Sequence, residues 1–230
     1  MKSNFELQLM AFIKPFGKYG FIKNQIPQNG RVLDVGCGNN SPQTTKMLRS
    51  DIYYVGLDIG DYNQSGFITH FADEYIIITD PTHFADEIEK RIGEFDTVIS
   101  CHNLEHCFDP YRVLDAMIKS LKPGGCLYIA TPDEASINFP KRKRSSLNFF
   151  DDSTHQKPLL FNDIRSMLSN NGRNKIKCIK RYRPLIPFLF GLLYEPIAFL
   201  TNSGTPFGGS WALYGYENIY IMTKTNDVKF

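Results

Sequence analysis

The chain has almost no excess charge: 26 Lys and Arg stand against 24 Asp and Glu, a formal net charge of +2. So even a balance excludes the broad basic surface that unspecific nucleic-acid binding needs, and no nucleic acid is expected as a partner. Cysteine is sparse. The five residues Cys37, Cys101, Cys107, Cys126 and Cys178 form no C-x-x-C pair, which argues against a thiolate zinc site or a disulfide framework. An odd, dispersed set reads as reduced thiols in a cytoplasmic protein. No apolar run reaches the ~20 uninterrupted residues of a spanning helix, so no transmembrane segment is expected. Glu6 and Gln8 interrupt Phe5 to Ile13, which reads as no signal peptide. Neither an internal repeat nor a second independent domain is discernible. The 230 residues are enough to bury a full core as one domain.

What is present is a strand followed at once by glycines. Val32-Leu33 with Val35 is a β-branched, apolar run that reads as a strand buried on both faces, and Gly36-Cys37-Gly38 follows it. Glycine permits a sharp turn there and lets a ligand approach the main chain. The dinucleotide fingerprint G-x-G-x-x-G is absent, because the position of its third glycine is Ser41. Ser41 and Pro42 then suit an N-cap and a first helical residue, for a helix running to about Arg49.

Strands and helices keep alternating. Ile52 to Leu57 reads as a second strand ending at Asp58, Tyr75 to Thr79 as a third closed by Asp80, and residues 84 to 92 as a short helix. Phe95 to Ser100 is a fourth strand, Tyr111 to Leu121 a helix stopped by Lys122-Pro123-Gly124-Gly125, and Cys126 to Ala130 a fifth strand. Five alternations predict an α/β fold with a parallel, doubly wound sheet and helices on both faces. Ahead of it, Phe5, Leu9, Phe12 and Ile13 fall at helical spacing in residues 3 to 14, and Pro15, Gly17, Gly20 and Pro27 break the following stretch into loop or turns. Residues 1 to 30 thus form an N-terminal cover and 31 to 180 the core.

The order of these motifs resembles the class I S-adenosylmethionine-dependent methyltransferases. The strand acid Asp34 followed by G-x-G is similar to their first motif. Cys101 to Pro110, with Leu104-Glu105-His106 and then Asp109-Pro110, resembles the turn after their fourth strand. The resemblance covers roughly the first 170 residues. It implies a Rossmann-like sheet of seven strands in the order 3-2-1-4-5-7-6 with strand seven antiparallel, and S-adenosylmethionine as cofactor with S-adenosylhomocysteine as product. Asp34, Gly36, Cys37 and Gly38 would hold the methionine end. Asp58 would accept both ribose hydroxyls, with Ile59 beside it, while Asp80, Pro81 and Cys101 would border the adenine and the cofactor, and Phe84 could lie against the ring. For Asp80 a turn or capping role is the alternative.

Methyl transfer asks the protein mainly for positioning, and often for a base. His155, in the run Asn148 to His155, is the leading candidate, since a Thr-His before a helix capped by Asn162 recurs in related sugar, lipid and quinone methyltransferases. His102, Glu105 and His106 form an H-x-x-E-H run. The ubiquinone-type O-methyltransferases have a similar turn, with Glu at the position of His102, where acidic and His side chains can hold a divalent metal. No metal is assigned here, though these three residues could take one or act as bases; bracing the pocket is their structural alternative. Lys141-Arg142-Lys143-Arg144 could hold a phosphate on the acceptor side, with Trp211 as a stacking surface, or be a solvated run. Lys175 to Arg183 reads as the sixth strand and Asn218 to Met222 as the seventh.

Residues 184 to 216 form an apolar, acceptor-side insertion. Pro184 to Leu200 reads as two short helices that cap the acceptor, touch a membrane surface, or make a dimer face, which leaves room for a homodimer. The expectation is a cytoplasmic enzyme methylating an oxygen of a small acceptor, a sugar, nucleotide-sugar or phosphorylated precursor of a capsular or lipopolysaccharide glycan. A quinone or lipid acceptor is the alternative among enzymes, and an inactive cofactor-binding interaction protein the alternative outside them.

Overall fold

The computed structural model describes residues 3–60, 71–170 and 172–225. Seven strands, β1 (Arg31–Val35), β2 (Tyr53–Asp58), β3 (Glu74–Ile77), β4 (Phe95–Cys101), β5 (Leu121–Pro132), β6 (Lys175–Ile179) and β7 (Glu217–Thr223), form one sheet in the order β3-β2-β1-β4-β5-β7-β6. β1 pairs in parallel with β2 (Leu33 opposite Val55) and β4 (Leu33 opposite Val98). β7 runs antiparallel to both β5 and β6. This is the expected order and sense.

The strands are buried on both faces because successive residues feed two cores. Leu33, Val35, Val98, Leu127 and Ile129 face one core, closed by α4 (Phe84–Glu89), α5 (Pro110–Ser120) and α6 (Phe161–Ser169) through Ile88, Leu114, Met117 and Leu168. Val32, Tyr54, Ile99 and Tyr128 face the other, where α2 (Lys18–Gln25) inserts Phe21 and Ile22. Fully burying each such side chain contributes on the order of 1.5–3 kcal/mol. Asp109 caps α5 by accepting from the Arg112 N–H, with Pro110 in the first turn.

Four local expectations are corrected. Residues 18 to 25 are a helix, not a loop: Gly17 is the residue before it, and stacking of Phe21 on Tyr128, ring centroids 4.7 Å apart, outweighs the breakers. α1 (Asn4–Ile13), started by a Ser3–Glu6 capping box, buries Ile13 as expected but otherwise Leu7 and Ala11, while Phe5 and Phe12 stand 76% and 75% exposed. Asn162 does not cap α6; the capping position is Leu160. Residues 185 to 200 form one helix, α7 (Leu185–Leu200), with Pro196 inside it. Small and polar residues, Pro187, Gly191, Glu195 and Ala198, face inward and let α7 approach α8 (Gly209–Tyr214) closely: a Cβ on Gly191 would lie 2.4 Å from the Gly209 carbonyl.

Candidate functional site

Strand order reverses between β1 and β4, and in such sheets the crevice at the carboxyl ends there takes the ligand. The two loops meet closely. Gly36, at φ +68°, would drive a Cβ within 2.2 Å of the Asn103 side chain, so only glycine lets the loop after β1 pass the loop after β4. A Cβ on Gly38, at φ +60°, would meet nothing within 4 Å among the described residues, and Gly38 lines the crevice.

The crevice has a volume of about 630 Å³, within the range of small-molecule sites. Gly36, Gly38, Asp58, Ile59, Pro81 and Phe84 line one side. Asp58 Oδ2 accepts from the Gly38 N–H at 2.6 Å, and Oδ1 from the Ile59 N–H at 2.7 Å. The carboxylate therefore ties the glycine loop to the end of β2 at the cavity wall. The α3 helix (Ser41–Leu48) starts just beyond, its N-terminal turn carrying Pro42 as expected, but Asn40 takes the capping position in the left-handed region.

Other expected cofactor residues sit elsewhere. Asp34 is fully buried beneath the loop, accepting from the Tyr54 hydroxyl at 2.9 Å and pairing with Lys18 Nζ at 2.7 Å. Lys18, from α2, also reaches Ser41 Oγ at 2.6 Å. Burial opposes the charge of this ammonium, but the Asp34 carboxylate outweighs it and holds its pKa above the usual lysine value. Cys37 is buried with its sulfur turned towards Gly56 and Tyr75, and burial pushes its thiol up, so it stays protonated. Cys101 packs against the second core. Asp80 takes the capping role, accepting from the Thr82 N–H and hydroxyl at 2.9 and 2.7 Å, its carboxyl lowered by those bonds.

The opposite side of the crevice carries His102, Asn103, His106, Cys107, Thr154 and Gln156. His102, at φ +51°, is gripped at both ring nitrogens: Nδ1 lies 3.2 Å from Glu105 and Nε2 3.0 Å from Glu217. Burial alone would lower its pKa, but the two carboxylates override this and raise it to about 10. It is an imidazolium at neutral pH with no free nitrogen, which fits neither a base nor a metal ligand. Trp211 and Tyr216 lie against it, ring centroids 5.1 and 6.1 Å away, an arrangement that suits a cation.

His106 and His155 differ. Thr154 donates to Asp152 at 2.5 Å, so its oxygen accepts from His106 Nδ1 at 2.8 Å. His155 Nδ1 donates to the Phe149 carbonyl at 2.6 Å. In both rings this leaves Nε2 as the basic nitrogen. The rings stand 4.7 Å apart. Glu105, buried, has one oxygen on His102, and its Oε2 has no hydrogen-bond partner among the described residues. Ligand atoms of Glu105, His106 and His155 fall within 4.8 Å of one another. The candidate cation-holding set is therefore this trio, with His155 in place of His102. The orphaned buried oxygen fits such a role.

The basic run does not reach the crevice. Arg142 is buried and paired with Glu195 of α7, and Lys141, Lys143 and Arg144 are exposed. Beside them lies a second cavity of about 550 Å³, in which Leu9, Met10, Phe207 and Trp211 share the lining with Glu6, Lys14 and the hydroxyl residues Ser145, Ser146, Thr205 and Ser210. Trp211 donates to the Ser146 carbonyl at 2.5 Å and links the cavities, lining this one while resting on His102 of the first. Lys18, Glu217 and the second cavity escaped the sequence reading. Lys18 lay in the stretch read as loop, and the others depend on distant chain segments meeting.

The strand order, with its crevice and glycine loop at the switch point, is that of the class I methyltransferase fold. The chain belongs to the Methyltransferase domain family, whose model matches residues 3–178. Its curated relatives include the ubiquinone biosynthesis O-methyltransferase of Caulobacter vibrioides, 31% identical over 101 residues, covering 44% of this chain and 40% of that protein. The Escherichia coli O7:K1 protein of the same name is 33% identical over 106 residues, covering 44% and 42%. The chain thus spans about two fifths of the length of the relatives it matches. Among solved structures, a SAM-dependent methyltransferase from Archaeoglobus fulgidus shares the fold with a TM-score of 0.56 at 19% identity, covering 96% of this chain and 95% of that one. A Haemonchus contortus phosphoethanolamine N-methyltransferase bound to S-adenosyl-L-methionine gives 0.57 at 14% identity, covering 97% and 58%.

Proposed function

We propose that this methyltransferase acts on a hydroxyl of an acceptor with a sizeable apolar part, of the quinol or lipid kind. The observation carrying this reading is the second cavity, mostly apolar in its exposed lining surface, whose Trp211 rests on His102 of the cofactor crevice. An acceptor seated there can direct its oxygen past the indole. The similarity to ubiquinone biosynthesis O-methyltransferases supports the same class. The glycan precursor expected from the sequence drew on the Asp151-Asp152-Ser153-Thr154-His155 loop and on a basic run at the acceptor. With Arg142 neutralised by Glu195 and its neighbours outside both cavities, that second support is lost. Five free cysteines suit a reducing, cytoplasmic setting.

On this reading Asp58 takes the ribose diol, Ile59 and Phe84 flank the adenine, and the Gly36–Gly38 backbone bounds the methionine portion. The acceptor oxygen attacks the methyl carbon, the carbon–sulfur bond breaks, and its electron pair stays on sulfur, leaving S-adenosylhomocysteine. The hydroxyl proton passes to Nε2 of His155, with His106 alongside. A divalent cation held by Glu105, His106 and His155 would occupy that nitrogen and would take the place of the base, lowering the pKa of the acceptor hydroxyl.

His155→Ala should lower kcat on a catechol or quinol acceptor by about 10²–10⁴-fold, the usual weight of a positioned base, while leaving the cofactor Kd unchanged. The assay is mass-spectrometric detection of the methylated product beside calorimetry with S-adenosylhomocysteine. Full turnover would remove His155 from the chemistry. Cofactor binding with no turnover of any acceptor class by the unaltered chain would favour the inactive, interaction-protein reading.

A further inference from the structure

α7 is inverted relative to an ordinary surface helix. Its one charged residue, Glu195, points inward, bonded to Arg142 and to the Ser210 hydroxyl at 2.6 Å. Leu185, Leu189, Leu192, Leu193, Ile197 and Leu200 point out, Leu193 and Leu200 being 74% and 81% exposed. A contiguous outward apolar face of this kind marks a docking surface rather than ordinary scatter. It continues through Phe190, whose ring lies 5.1 Å from that of Phe207, onto the rim of the second cavity.

Cations flank this face. Lys141, Lys143 and Arg144 are exposed, and the Arg144 N–H bonds the Asn202 carbonyl at 2.9 Å, which fixes the run beside the end of α7. Arg183 is exposed at the other end, 6.0 Å over the Phe188 ring. Two copies joined symmetrically through the same face would bring these cations together, with no carboxylate on the exposed face of α7 to offset them. A plane of anionic headgroups above an apolar interior matches both features. No helix among the described residues is long and apolar enough to cross a membrane.

We propose that α7 docks the protein on the surface of membranes containing anionic lipids, its apolar side chains entering the headgroup–acyl boundary and Lys141, Lys143 and Arg144 meeting lipid phosphates. The second cavity then opens at the lipid surface. This docking stands on α7 and the flanking cations alone and does not depend on the acceptor's identity.

The test is cosedimentation of the purified chain with phosphatidylcholine vesicles with and without phosphatidylglycerol. Binding to the anionic vesicles and little to the neutral ones is expected. Lys141→Glu/Lys143→Glu/Arg144→Glu should weaken it about a hundredfold at low salt, from ~1 kcal/mol per cation near the surface. Leu193→Glu/Leu200→Glu should abolish it, with S-adenosylhomocysteine affinity unchanged as proof of folding. Absence of anionic-vesicle binding, or binding indifferent to both variants, overturns the proposal. So does a dimer in light scattering that Leu193→Glu/Leu200→Glu dissociates, which would give the face to a second copy.

Discussion

Asp58→Ala is expected to raise the Kd for S-adenosylhomocysteine by about 50-fold in calorimetry while the protein remains folded. Asp58 stands at the carboxyl end of β2, where its two oxygens accept from the Gly38 and Ile59 N–H groups at 2.6 and 2.7 Å. A carboxylate so placed shapes the glycine loop, and it is the group proposed to take the ribose diol. Hydrogen bonds to a charged group contribute roughly 1.5–3 kcal/mol each, and the group left unpaired on removal adds to the loss. Asp58→Asn should fall between the two, since the amide keeps one acceptor oxygen and presents a donor where an acceptor is needed. Unchanged affinity in Asp58→Ala would remove the ribose assignment.

Lys18→Met should be the most destabilising single change near the site. Asp34 has no exposed surface, and its Oδ1 has no hydrogen-bond partner among the described residues, so its charge is balanced through Oδ2, by Lys18 at 2.7 Å and Tyr54 at 2.9 Å. Removing one member of a buried ion pair costs about 3–5 kcal/mol because the other charge stays behind. For a chain of this size that is on the order of 10 °C in Tm. Lys18→Met combined with Asp34→Leu should recover part of the loss, since no lone charge is then buried. Lys18 joins α2 to both β1 and Ser41 of α3, so the single variant should also loosen cofactor binding. A Tm within a degree or two of the unaltered protein would mean that the pair adds little to stability.

These two residues show what the sequence could and could not disclose. The place of Asp58 at the end of β2, in the wall of the crevice, was legible because it follows from local order: strand, carboxylate, and a fixed distance from the glycine loop. The Leu104-Glu105-His106 turn and the strands were legible because each rests on a contiguous run of residues, whereas the strand order came from the family resemblance. Lys18 was hidden by Pro15, Gly17 and Gly20, whose breaker character is real in isolation but is outweighed when Phe21 and Ile22 are buried. His102 looked like a base because its partner Glu217 lies 115 residues away. Arg142 looked like a phosphate ligand because its partner Glu195 lies 53 residues away. Charge pairing across such separations has no signature in a single sequence. It converted one expected base and one expected anion ligand into structural ion pairs, and it turned the only acid of α7 inward, leaving the helix apolar on its outer face.

The central claim is that the crevice between the loops after β1 and β4 holds S-adenosylmethionine with its ribose on Asp58. A crystal structure of the chain with S-adenosylhomocysteine tests it most directly. The ribose hydroxyls should lie within hydrogen-bond distance of the Asp58 carboxylate, the adenine between Ile59 and Phe84, and the sulfur on the side of His106 and His155. A cofactor seated in the second cavity against Trp211, or a ribose turned away from Asp58, would contradict the account.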